Sequence, residues 1–216
     1  MPFEHPYGIL PPIIELLFTL ISFAFCFIIY KKTREVYDLT KHQGIGYFSQ
    51  AFLFFGLSYV MRFVFRLLFF WREGLEFLPR WITMPIFILP LGYFSTIGLF
   101  YLIFSSVSKK IKTRDFVFLA HGVAVLLSIV SFIARSPWFL LYFQSALIVI
   151  ALVLNSVVSE KKISQAKVLY ALIAFIWLIH LWVLGRPGPF EWDVVFGLIT
   201  IGLFIAIYYK LSKWIK

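Results

Sequence analysis

Glu15, Tyr59, Arg62, Arg66 and His180 carry ionisable or hydrogen-bonding groups inside stretches otherwise built of leucine, isoleucine, valine and phenylalanine. A charge in hydrocarbon is costly and turns toward the interior of a helix bundle, where it pairs or meets a solute. Phe55, Tyr59, Arg62 and Arg66 follow i, i+4, i+7, i+11 spacing, so one helical face presents a phenol and two guanidinium groups. Glu15 is the only carboxylate well inside an apolar run, and two cations therefore meet one anion. That excess suits a polar or anionic ligand, because a guanidinium grips an oxyanion with two parallel hydrogen bonds. The plainer alternative is a Glu15–Arg62 ion pair, with Arg66 snorkelling to the headgroups beside Arg72. His180 shares a helical face with Trp177, Ile173 and Tyr170 and would join the same outer cavity if it faced inward; a hydrogen bond to a neighbouring helix is its alternative. Gln144, Tyr93 and Asp193 are further candidates for the outer vestibule. His121 and Asn155, near the opposite ends of their segments, would make a small inner polar site if both turned inward, and inter-helix hydrogen bonding explains them equally well.

Other chemistries find no residues. Membrane hydrolysis needs an activated nucleophile or a metal held by several carboxylates and histidines, and no such constellation emerges. Retinal would need a lysine deep in the last apolar run, and a bis-histidine haem would need two histidines at matching depth; His121 and His180 lie at opposite depths. The single cysteine, Cys26, offers neither an intrachain disulfide nor metal-thiolate spacing. A P-loop is absent. The expectation is a protein without enzyme activity, metal or cofactor.

The elements that must position these groups follow from composition. Hydrophobic residues make up 62% of the chain and charged residues 14%, too few polar side chains to coat a soluble sphere of 216 residues. A bilayer core needs about 20 helical residues per crossing, and seven runs approach that length: Gly8–Tyr30, Phe48–Trp71, Ile82–Phe104, Phe116–Ala134, Trp138–Val158, Val168–Leu184 and Val194–Tyr209. They are continuously apolar, which excludes the alternating wall of a lipid-facing barrel. The fold class read here is all-α integral membrane, a seven-transmembrane-helix bundle forming one domain over residues 1–216. No lysine or arginine and no cleavage-site pattern marks the first residues, so the first helix is expected to remain in the mature protein.

Charge orients the bundle. Lys31, Lys32, Arg34 and Lys41 follow the first run, Lys109, Lys110, Lys112 and Arg114 the third, Lys161, Lys162 and Lys167 the fifth, and Lys210, Lys213 and Lys216 the seventh. The other connectors hold only Arg72, Arg80, Arg135 and Arg186. Short basic connectors stay in the cytoplasm, which puts the N-terminus out and the C-terminus in, most simply in the cell (plasma) membrane. Glu15, Arg62 and Arg66 then lie in the outer half. The net charge of +10 is a topological signal and a means of holding anionic membrane lipids, not a nucleic-acid footprint. The Lys31–Tyr47 connector reads either as a docking surface for a cytoplasmic partner chain or as an amphipathic stretch on the membrane surface. A homo-oligomer is compatible with the sequence.

An internal echo adds a second layer of organisation. Thr96-Ile97-Gly98-Leu99-Phe100 recurs 104 residues later as Thr200-Ile201-Gly202-Leu203-Phe204, and Ile103, Ser108, Lys109, Ile111 and Lys112 match Ile207, Ser212, Lys213, Ile215 and Lys216. The echo suggests a 3+1+3 parallel repeat, halves 8–112 and 138–216 joined by an inverting helix over 116–134. Parallel repeats about an axis along the membrane normal occur in small carriers such as the SWEETs, an architectural likeness without the proline-glutamine pair of that wider group. Pro85, Pro90 and Gly92 are read as a hinge in the third helix, since proline frees a carbonyl and such breaks often border transporter sites.

Together these features predict a membrane protein that binds or transports a small polar or anionic solute through an outer-half cavity built on Glu15, Tyr59, Arg62, Arg66 and His180. The rival is a seven-helix, non-retinal sensor or receptor signalling to a separate cytoplasmic partner.

Overall fold

In hydrocarbon no water is available to satisfy a backbone N–H or C=O, so continuous apolar runs close their hydrogen bonds within themselves as helices. The computed structural model describes residues 10–70, 80–108, 114–134, 136, 138–158, 164–185 and 190–215; within these, only the backbone is described for 10–12, 66, 68–70, 80–87, 114–115, 158, 164–166, 180–185, 190–191, 193 and 214–215. These residues form seven α-helices and no strand: α1 (Leu10–Thr40), α2 (Gln43–Phe70), α3 (Arg80–Val107), α4 (Arg114–Ile133), α5 (Trp138–Val158), α6 (Ser164–Gly185) and α7 (Phe190–Ile215). Six are long and apolar enough over their described residues to cross a membrane, and α6 contributes a shorter apolar stretch, Lys167–Ile179.

Burial is inverted relative to a protein dissolved in water. Phe118 is 78% exposed, Leu126 63%, Ile133 71% and Val157 72%, whereas Thr96, Ser49 and Ser131 are at 0% and Gln144 at 2%. Large exposed aliphatic side chains around a core that holds hydroxyls and amides are stable only where the surrounding solvent is lipid. The chain is a multi-pass α-helical membrane protein.

Six helices form a closed ring in the order α1, α2, α3, α5, α6, α7 and back to α1, and α4 lies outside it against α3 and α5. Aromatic side chains fill the ring. Phe25 of α1 stacks on Phe204 of α7 at 5.8 Å, Phe55 of α2 meets Trp177 of α6 edge-on at 5.7 Å, and Phe48 of α2 reaches Tyr170 of α6 at 6.3 Å. Polar contacts tie the lysine-rich helix ends together. Lys32 Nζ donates to Ser212 Oγ at 2.7 Å and sits 4.9 Å from the Tyr208 ring, joining the end of α1 to that of α7. The lysine-bearing ends of α1 and α7 thus lie at one end of the bundle.

Hydropathy marks hydrocarbon, not helix length, and α1 overshoots its apolar run by ten residues. The segment Lys31–Thr40, read from the sequence as part of a connector between runs, contains no glycine or proline and continues α1. Arg34 and Lys41 flank Asp38 at 3.5 and 3.6 Å, exposed pairs that contribute little. Lys41 then takes a left-handed φ of 52° while its N–H donates to Tyr37 O at 2.7 Å, and α2 begins two residues on. Residues 31–47 are therefore a helical elbow. Helix α3 likewise runs unbroken through Pro85 and Pro90, and Gly92 is a seat against which Leu140 of α5 and Ser128 of α4 pack. The side chain of Pro85 lies outside the described residues.

Gly98 and Gly202, equivalents in the internal echo, have opposite surroundings. A Cβ on Gly98 would lie 2.5 Å from the Phe55 ring and 3.4 Å from Ala51 O, whereas one on Gly202 would meet nothing within 4 Å. The close neighbours of Gly98 belong to α2, and no described residue of another helix comes as near to Gly202 on α7. Gly98→Ala should destabilise the protein by about 1–3 kcal/mol through overpacking. Gly202→Ala should be neutral or stabilise by up to about 1 kcal/mol through helix propensity. Unfolding in detergent by denaturant titration measures both, and equal effects would contradict the α2–α3 approach described here.

Candidate functional site

Inward-facing residues of α1 recur at Thr19, Ser22, Cys26, Ile29 and Thr33, all 5% exposed or less. Small residues at this spacing let two helix backbones approach closely, the principal packing device where lipid tails remove the hydrophobic drive between helices. Helix α2 answers with Phe48, Ser49, Phe52, Phe55, Gly56 and Tyr59. Three cross-contacts fix the register: Ser49 Oγ donates to Tyr30 O at 3.3 Å, a Cβ at Gly56 would stand 3.4 Å from Cys26 Cβ, and Tyr59 is hydrogen-bonded to the Ser22 side chain. The two residue numbers in each contact add to about 80, as antiparallel neighbours must. Extending that register outward puts Thr19 level with Arg62 and Glu15 level with position 66.

Glu15, Tyr59 and Arg62 therefore lie along one seam. Tyr59 is 8% exposed, packs edge-on against Phe204 at 6.2 Å, and feels the charge of Arg62. Thr19 Oγ1 donates back to Glu15 O at 2.8 Å, which satisfies the hydroxyl within α1. Glu15 and Arg62 each engage a partner. Arg66 and His180 lie on α2 and α6, and their side chains are outside the described residues, as is that of Asp193. The face of α6 that carries Tyr170, Ile173 and Trp177 does turn inward, with Tyr170 at 6% and Ile173 at 4% exposed.

Two other sequence candidates are engaged elsewhere. Gln144 donates from Nε2 to Ser95 Oγ at 2.7 Å and Thr96 Oγ1 at 3.1 Å, a buried clasp between α5 and α3. Tyr93 reaches α4, where its hydroxyl bonds His121 Nδ1 at 2.8 Å while Tyr101 approaches His121 Nε2 at 3.3 Å. Phe54 closes this cluster edge-on at 6.2 Å. With both imidazole nitrogens engaged by tyrosines of α3, His121 has none for Asn155, and the inner polar site imagined from the sequence does not form.

Ser22, Thr19 and Cys26 are the site residues that sequence reasoning passed over. Their signal was present: Glu15, Thr19, Ser22 and Cys26 repeat the i, i+4, i+7, i+11 spacing of Phe55, Tyr59, Arg62 and Arg66. Among the described residues no group of three or more His, Cys, Asp or Glu side chains could hold a metal ion.

Comparison with known proteins gives no functional label. No family model matches the chain, and no solved structure matches it. A protein of Archaeoglobus fulgidus described as an uncharacterized protein is 34% identical over 137 residues, 59% of this chain and 60% of that relative. The chain thus matches less than two thirds of that relative's length.

Because the Gln144 carboxamide is a structural clasp, Gln144→Leu should cost about 0.6–1.7 kcal/mol of stability, the range for inter-helix hydrogen bonds in bilayers. Denaturant titration in detergent measures this. A larger loss, or a change in affinity for any solute bound at α1–α2, would give Gln144 a further role.

Proposed function

We propose that this multi-pass membrane protein binds a small polar or anionic solute in the outer half of the α1–α2 seam and carries it across the cell membrane. The observation that supports this reading most is the meeting of two polar stripes in an otherwise aromatic bundle: Glu15, Thr19 and Ser22 on α1 stand against Tyr59 and Arg62 on α2. Arg62 supplies an oxyanion grip, Tyr59 and Ser22 supply neutral hydroxyls, and Glu15 balances part of the charge. Arg66 and His180, read from the sequence as part of the same site, belong to this proposal as further ligand-binding candidates. In this scheme the hinge lies at Pro85, Pro90 and Gly92, where a continuous α3 lacks the backbone donors of its prolines and would bend during transport. No covalent step is assigned, and the protein acts as a binder and carrier, not an enzyme.

The 3+1+3 repeat belongs to the same proposal. Duplication of α1–α3 into α5–α7 about an axis along the membrane normal would make the α3–α5 junction equivalent to α7–α1, and both junctions exist in the ring, with α4 peripheral.

A receptor is the second reading. It is favoured by the helical elbow at residues 31–47, which presents Arg34, Asp38 and Lys41 beyond the apolar run of α1 to a separate partner chain.

Purified protein should be screened for binding of small carboxylates, inorganic phosphate and sulfate, and then tested for counterflow of the ligand found in liposomes containing this chain alone. Arg62→Ala should weaken binding by roughly thirtyfold, the loss of about 2 kcal/mol from a charge-assisted hydrogen bond, and Arg66→Ala should weaken it less. Unchanged affinity in both variants would remove the arginine site. Counterflow identifies a carrier; binding without counterflow identifies the receptor.

A further inference from the structure

One polar contact crosses the ring between helices that are not neighbours. Helices α3 and α6 are separated by α5 and share no close backbone approach among the described residues. Tyr170 of α6 nevertheless donates to Leu102 O of α3 at 3.1 Å and shares a hydrogen bond with Ser105 Oγ. The small side chain of Ala151 on α5 lets the tyrosine pass, and the gap lined by Leu102, Ala151, Tyr170 and Ile173 has no room for a water molecule. The same ring meets Phe48 of α2, which in turn packs on Phe52 at 5.1 Å. A single side chain of α6 thereby fastens α3 and plugs the ring against α2.

The level of this contact gives it meaning. Ser105 lies two residues before the end of α3, Phe48 five after the start of α2, and Tyr170 six after the start of α6. At about 1.5 Å per residue, all three stand within roughly 9 Å of the lysine-rich helix ends, whereas Tyr59 stands about 24 Å along α2. The plug therefore separates the Ser22–Tyr59 pair from the lysine-rich end. We propose that Tyr170 is the latch of an inner gate: its hydroxyl holds α6 to α3 and keeps that end shut to water, and its release opens a path toward the α1–α2 seam. The gate takes its purpose from the carrier reading, but its existence can be tested without any solute.

Cys26 is the single cysteine of the chain, fully buried between the plug and Ser22 on α1, and serves as a built-in reporter. The full-length protein in inside-out membrane vesicles is treated with a membrane-impermeant methanethiosulfonate, and the labelling rate is followed by mass spectrometry. Tyr170→Phe keeps the ring and deletes the hydroxyl. It should raise the rate from the lysine-rich face about three- to twentyfold, the population shift expected from one inter-helix hydrogen bond in a bilayer, and leave the rate from the opposite face unchanged. An unchanged rate, or an equal rise from both faces, would overturn the gate. If Tyr170→Phe does not fold, Ser105→Ala decides by the same criterion. Failure of the arginine variants to alter solute binding would remove the solute site and leave the labelling result standing.

Discussion

The close antiparallel approach of α1 and α2 is the constraint on which the remaining geometry rests. Threonine, serine, cysteine and glycine along the seam bring the two backbones together, and that closeness sets the register that puts Ser22 on Tyr59 and Thr19 level with Arg62. In this register Glu15 lies level with position 66, one turn or about 6 Å outward of Arg62, so Glu15, Arg62 and Tyr59 follow one another down a single seam. Bulkier side chains on the α1 stripe would separate the backbones and leave the intramembrane charges facing lipid, where they are most costly.

The rest of the ring is built to hold this seam and to exclude water from it. Phe25, Phe204, Phe55 and Trp177 fill the centre with ring contacts that are individually weak and collectively large. Several inward-facing polar groups are tied off locally, Gln144 on Ser95 and Thr96, His121 between Tyr93 and Tyr101, Tyr170 on Leu102 and Ser105. Polarity is thereby confined to a few joints. Helix α4 covers one flank of α3, and the halves that the internal echo relates also differ within their own packing, since α2 crowds Gly98 through Phe55 and Ala51 while Gly202 is open.

Fold class was readable from the sequence because hydrocarbon thickness imposes run length and positive charge marks one side. Helix ends were not, since nothing in hydropathy records that Lys31–Thr40 continues α1 beyond the lipid. The polar face of α2 was visible in the spacing of Tyr59, Arg62 and Arg66, and the matching stripe of α1 carried the same spacing. Its residues are small and neutral, and so drew less notice than the charges. Gln144, Tyr93 and His121 were visible as intramembrane polar groups, but their partners lie 20 to 49 residues away and depend on which helices become neighbours. Tyr170 was visible only as a member of the His180 face, and its bond to Leu102 and Ser105 was not, because a tyrosine among apolar residues reaches across a ring only where its neighbours are small.

Gly56→Cys beside the native Cys26 measures the α1–α2 register directly. The Cβ separation of 3.4 Å falls near the lower limit for a disulfide. Mild oxidation in membranes should produce the intrachain bond in most molecules, detected as a two-proton mass loss that a reductant reverses. Two free thiols after oxidation, in protein that remains folded, would contradict the seam and with it the placement of Glu15, Tyr59 and Arg62.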